Sequence, residues 1–88
     1  MAKVIVKLKV MPESIDIDLN GVKKEIEKIK MEEVEIKGIN VTPIAFGLKA
    51  LSIIALMPDK EGICDKFVDE IKKINGVQTV EVEAMDLL

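Results

Sequence analysis

Leu48-Lys49-Ala50-Leu51-Ser52-Ile53-Ile54-Ala55-Leu56-Met57, LKALSIIALM, is a nearly continuous apolar run in the middle of the chain, and its reading decides the fold. At this length periodicity alone does not separate a buried strand from a buried helix. The flanks do. Pro43 and Gly47 precede the run and Pro58-Asp59 follow it. With its Ile and Leu content and its length, this bracketing predicts a central strand, apolar on both sides.

Toward the N-terminus, a second strand starts near Glu33, with Val34 and Ile36 facing one way. After Gly38 the apolar parity changes to Ile39 and Val41, the slip by one residue that a β-bulge produces. Pro43 lacks a ladder donor, so the strand ends or lies on an edge there. Before it, Leu19, Val22, Ile26 and Ile29 form the buried stripe of an amphipathic helix, with Asp16 and Asp18 as candidate N-caps. Gly21, a poor helix former, weakens the first turn. From Lys3 to Val10 the pattern has period two: Val4, Val6, Leu8 and Val10 share one face, Lys3, Ile5, Lys7 and Lys9 the other. Met11-Pro12 is read as its end.

Toward the C-terminus, Asp59 is a candidate cap for a second helix with the stripe Ile63, Phe67, Ile71 and Ile74. Asp69 and Lys73 form a favourable i,i+4 pair, and Asn75-Gly76 is a strong stop. Val77 to Ala84 alternates again, with Val80, Val82 and Ala84 on one face and Thr79, Glu81 and Glu83 on the other. The order β-α-β-β-α-β predicts an α+β, ferredoxin-like two-layer sandwich: a four-stranded antiparallel sheet with both helices on one face. The first and third strands are central and the first pairs with the fourth. Lys3, Lys7 and Lys9 can then meet Glu81 and Glu83 across strands, pairs of roughly 0.2–1 kcal/mol each.

The chain has 88 residues, 49% of them hydrophobic and 33% charged, so residues 1–88 are expected to form one globular domain. The net charge of −3 argues against a general nucleic-acid binder, which needs cationic groups for phosphate. The strands predicted to be central also lack the aromatic platforms that RNA-binding sheets use. Cys64 is the only cysteine and there is no histidine, which excludes an intramolecular disulfide, a cysteine metal cluster and the usual general base. Cys64, beside the helix stripe, reads as a packing residue. The acidic residues read as solvated surface. "DKEGICDK" lacks the spacing of a phosphate loop, so tight nucleotide binding is not expected, and no cofactor or metal is implied. No run reaches membrane-spanning length and none resembles a signal peptide, so a cytoplasmic protein is expected.

There remains the loop Pro43-Ile44-Ala45-Phe46-Gly47. Phe46 is one of only two phenylalanines in a chain with no Trp or Tyr. By composition it reads first as a Phe folded back on the core. The alternative is an exposed anchor on a stiffened loop. "PIAFGLKAL", the following apolar strand and "MPDKEG" resemble the signature of the guanine-nucleotide exchange domain of elongation factor 1-beta/delta. The opening "MAKVIVKLKVMPES" and the close "INGVQTVEVEAMDLL" fit in order and spacing. The likeness covers essentially the whole chain, and its short length resembles the archaeal form.

This resemblance implies a translation elongation factor that is not an enzyme. It would bind the GTPase elongation factor 1-alpha near its switch and Mg²⁺ site and exchange GDP for GTP by protein contact. It implies partner contacts by Phe46, with Ile44, Ala45 and Gly47 shaping the loop and Lys49 adding charge. Met85 and Asp86 are further candidate contacts. A lysine next to the C-terminal residue is a feature of the family; the matching position here is Leu87. The competing reading from topology alone is a ferredoxin-like regulatory domain that binds a small molecule.

Overall fold

A computed structural model describes residues 2–29, 31–44, 47–60 and 62–88. The element order is β1 (Lys3–Pro12), α1 (Leu19–Glu27), β2 (Glu35–Pro43), β3 (Lys49–Pro58), α2 (Ile63–Lys72) and β4 (Val77–Leu87). The strands form one antiparallel sheet in the order β2-β3-β1-β4. LKALSIIALM is therefore a central strand, and the expected sandwich of ferredoxin-like type is the observed one.

Residues opposed on neighbouring strands share a face of the sheet. Val4, Val6, Leu8 and Val10 oppose Met57, Ala55, Ile53 and Leu51, and all eight are buried. Val22 and Ile26 of α1 and Ile63, Phe67 and Ile71 of α2 close the core over them. Burying side chains of this size contributes about 1.5–3 kcal/mol each, the main term that holds the layers together. Asp18 caps α1, its Oδ1 accepting from the Asn20 amide at 3.1 Å. The other face of the sheet carries Lys7, Lys9, Ser52, Ile54 and Leu56, and neither described helix packs on it.

The glycine-linked slip is present in β2. Ile36 opposes Ala55 and Gly38 opposes Ile54, which leaves Lys37 as the extra residue. The bulge keeps Ile36, Ile39 and Val41 on the helix side, and Pro43 sits on an edge strand where its missing donor costs nothing.

β1 ends at Met11-Pro12 as expected, with Pro12 opposite Val77 across a register shift. Four expectations about detail are corrected. Asp59 does not cap α2; its amide donates to the Ala2 carbonyl at 3.1 Å, and the helix starts from Gly62 at φ +88° with no side-chain cap. Lys73 reaches Glu70 at 3.4 Å, one residue nearer than Asp69. A second bulge leaves Glu83 as the extra residue of β4, because Leu8 opposes Val82 and Lys7 opposes Ala84. Ala84 thus leaves the Val80–Val82 face and joins Lys7, while Met85 and Leu87 take the helix side opposite Val6 and Val4. The same bulge disturbs the Lys/Glu ladder. Lys9 does face Glu81, but the ion pairs within 4 Å among the described residues are Lys28–Glu25, Lys37–Glu35 and Lys73–Glu70, none of them between β1 and β4.

Candidate functional site

The β2–β3 connection projects from one end of the sheet. The Ile44 amide donates to the Leu48 carbonyl at 2.8 Å, which closes the hairpin with three residues between. Gly47 has φ +78°, the left-handed conformation that ends short hairpin loops and that only glycine adopts without strain. Ile44, Gly47 and Lys49 are all exposed. Ala45 and Phe46 lie outside the described residues, so the expected anchor is known by its frame.

Two hollows flank this hairpin. On the open face of the sheet, Thr42, Pro43 and Ile44 border a depression of about 190 Å³ with Lys7, Lys9 and Glu83. On the helix side, Val41, Gly47 and Lys49 line a cleft of about 360 Å³ whose other wall is the β1–α1 loop, including Ile15 and Asp18. Ile15 is not singled out by the sequence pattern. The available signal was an isoleucine set between Ser14 and Asp16, ahead of the first stripe residue Leu19.

A larger groove of about 850 Å³ runs between α1 and α2. Four of its charged side chains are engaged with one another, Lys28 with Glu25 at 3.6 Å and Lys73 with Glu70 at 3.4 Å. Size alone does not make this groove the site. Among the described residues no three His, Cys, Asp or Glu side chains gather to hold a metal ion. No described helix is long and apolar enough to cross a membrane.

Met85 and Asp86 are not part of the hairpin site. Met85 opposes Val6, which opposes Ala55, six residues along β3 from Lys49. At about 3.4 Å per residue the two groups are some 20 Å apart along the sheet. Met85 is 51% and Leu87 66% exposed, because the helices do not extend over this part of β4. Cys64 lies half-buried near the same end, at the start of α2. Burial, and then the neighbouring Asp65 carboxylate, push its thiol above the ordinary range, so it stays protonated at neutral pH. A nucleophilic role needs the opposite shift.

Residues 5–88 match the family model described as EF-1 guanine nucleotide exchange domain. The chain belongs to that family. It is 52% identical to elongation factor 1-beta of Archaeoglobus fulgidus, over the full length of both chains. It is 49% identical to elongation factor 1-beta of Staphylothermus marinus, covering 97% of this chain and 96% of the relative. A role in translation elongation follows from this membership, as the signature around Phe46 implies. Among solved structures, the ACT domain of a GTP pyrophosphokinase from Chlorobium tepidum superposes with a TM-score of 0.64 at 18% identity, covering 91% of this chain and 97% of that one. The C-terminal domain of the MgtC protein from Mycobacterium tuberculosis gives 0.60 at 17%, covering 100% and 88%. These two share the fold; at such identity they say nothing of activity.

Proposed function

We propose that residues 1–88 act as a single exchange domain that speeds release of GDP from the GTPase elongation factor 1-alpha, by protein contact near its switch and Mg²⁺ site. The observation that carries this reading is the exchange-domain match over residues 5–88, with the "PIAFG" stretch falling on a hairpin pinned by the 2.8 Å Ile44–Leu48 bond. Fixing Ile44 and Leu48 lowers the cost of ordering these two residues on binding. Phe46 is the anchor, Ile44, Ala45 and Gly47 set the loop's shape, and Lys49 adds a positive rim.

The domain makes and breaks no bond and needs no cofactor. It works by linkage: binding the nucleotide-free GTPase better than the GDP form, it must weaken GDP by the same factor, about tenfold for each 1.4 kcal/mol of coupling. It works in the cytoplasm and reads no nucleic acid itself. Met85 and Asp86 contribute from the far end of the sheet, so the partner must span some 20 Å of it. Leu87 supplies no ammonium group there, and the hairpin carries most of the effect. Release of fluorescent GDP from the cognate GTPase tests the reading. Acceleration that saturates with added protein is expected, and an unchanged rate at saturation would refute it.

A further inference from the structure

The β1–α1 loop beside the hairpin is tied to the turn before β4 and yet presents an apolar side chain to solvent. The Glu13 amide donates to the Gly76 carbonyl at 2.9 Å, and the Asp16 amide to Ser14 Oγ at 3.3 Å. Ile17 packs against Gly76 so closely that a Cβ there would lie 3.0 Å from Ile17 Cγ2. In the middle of this braced loop Ile15 is 67% exposed. Val41, on the helix side of the edge strand and 45% exposed, lines the same cleft. A lone exposed isoleucine needs no explanation; two apolar residues from different elements, sharing a cleft with Gly47 and Lys49 of the hairpin, form a patch.

We propose that this cleft is a second contact for the GTPase engaged by the hairpin, accepting an apolar side chain of that partner between Ile15 and Val41. The inference rests on the exchange reading above. Continuity selects the occupant: Gly47 and Lys49 belong to both surfaces, so a protein seated on the hairpin has the cleft directly beside it. Size agrees, since about 360 Å³ is at the low end of ligand pockets and suits one or two side chains. Asp18 and Lys49 line the cleft beside Ile15 and Val41 and give it one charge of each sign, a mixture of polar and apolar side chains usual for a contact with another protein. A braced loop is pre-organised, and its cost of ordering on binding is small.

The test compares the wild type with Ile15→Asp, Ile15→Leu, Val41→Thr and Phe46→Ala. Affinity for nucleotide-free elongation factor 1-alpha is measured by titration calorimetry, exchange by GDP release, folding by thermal unfolding and self-association by light scattering. Ile15→Asp is expected to weaken binding at least tenfold with unchanged unfolding, and to raise the concentration for half-maximal exchange by the same factor. Ile15→Leu should restore both, and Val41→Thr should weaken binding about threefold. If Ile15→Asp and Val41→Thr bind and exchange like wild type while Phe46→Ala does not, the cleft proposal fails and the exchange reading stands. If Ile15→Asp only converts a dimer to a monomer, a second copy of this chain covers the cleft and the proposal is overturned. If the wild type itself leaves GDP release unchanged, the exchange reading fails and takes this inference with it.

Discussion

The two ends of the sheet are built differently, although each exposes apolar side chains. At the hairpin end three connections converge, and each is braced: the Ile44–Leu48 bond, the Glu13–Gly76 bond, and glycines at φ +78° and +98°. Exposed Ile15 and Val41 stand in a shaped cleft there. At the other end Met85 and Leu87 lie along a strand that has simply outrun its helices. A concave surface of mixed polar and apolar side chains can discriminate a partner because its shape is set before contact. A flat strand end offers area but little shape. The hairpin end should therefore carry binding specificity and the β4 end a supporting contact.

Gly76→Ala is the largest expected perturbation. It forces a side chain into the left-handed region and drives Cβ to 3.0 Å from Ile17, so a loss of about 3 kcal/mol in chemical denaturation is expected. Stability close to wild type would mean that the hairpin end is not braced. Phe46→Ala should come next, lowering exchange efficiency roughly thirtyfold, about 2 kcal/mol, with the unfolding midpoint unchanged. Unfolding in place of lost exchange would return Phe46 to the core and erase the contrast. Replacing both Met85 and Leu87 by Ala should alter stability by no more than about 0.5 kcal/mol and exchange by less than about fivefold. A loss matching Phe46→Ala would move the main contact to the β4 end. The smallest effect concerns Cys64. With its thiol pKa raised, the thiolate is scarcer at neutral pH than in a free cysteine. Alkylation by iodoacetamide should be slower than that of a small thiol at pH 7 and speed up as pH rises. Rapid neutral-pH modification would show this end to be chemically active.

Much of this arrangement is legible in the residue pattern. Period two in β1 and the stripes of α1 and α2 reflect burial on one face, which leaves its mark directly on residue type. The β2 bulge is legible because it moves apolar residues from one parity to the other at Gly38. The β4 bulge is not, because Ala84 is small enough for either face and the strand end is exposed whichever way it turns. Helix starts divide in the same way. Asp18 announces α1 through a real side-chain bond. α2 begins at a left-handed Gly62, and an acidic residue nearby points misleadingly to Asp59 as the cap. At the site, the hairpin residues are found by motif, whereas Ile15 needs the loop's packing to become visible.

The order of elements, the strand nature of LKALSIIALM and the family can be read from residues one stretch at a time, because each depends on local pattern or on residue identity. Which candidates stand together depends on the folded chain. Strand register put Met85 and Asp86 some 20 Å from Lys49 along the sheet. The folding of the β1–α1 loop against Gly76 brought Ile15 to the hairpin instead. Proximity between residues distant in the chain depends on register and on how connections pack. A bulge of one residue, which leaves almost no trace in an exposed strand, is enough to change it.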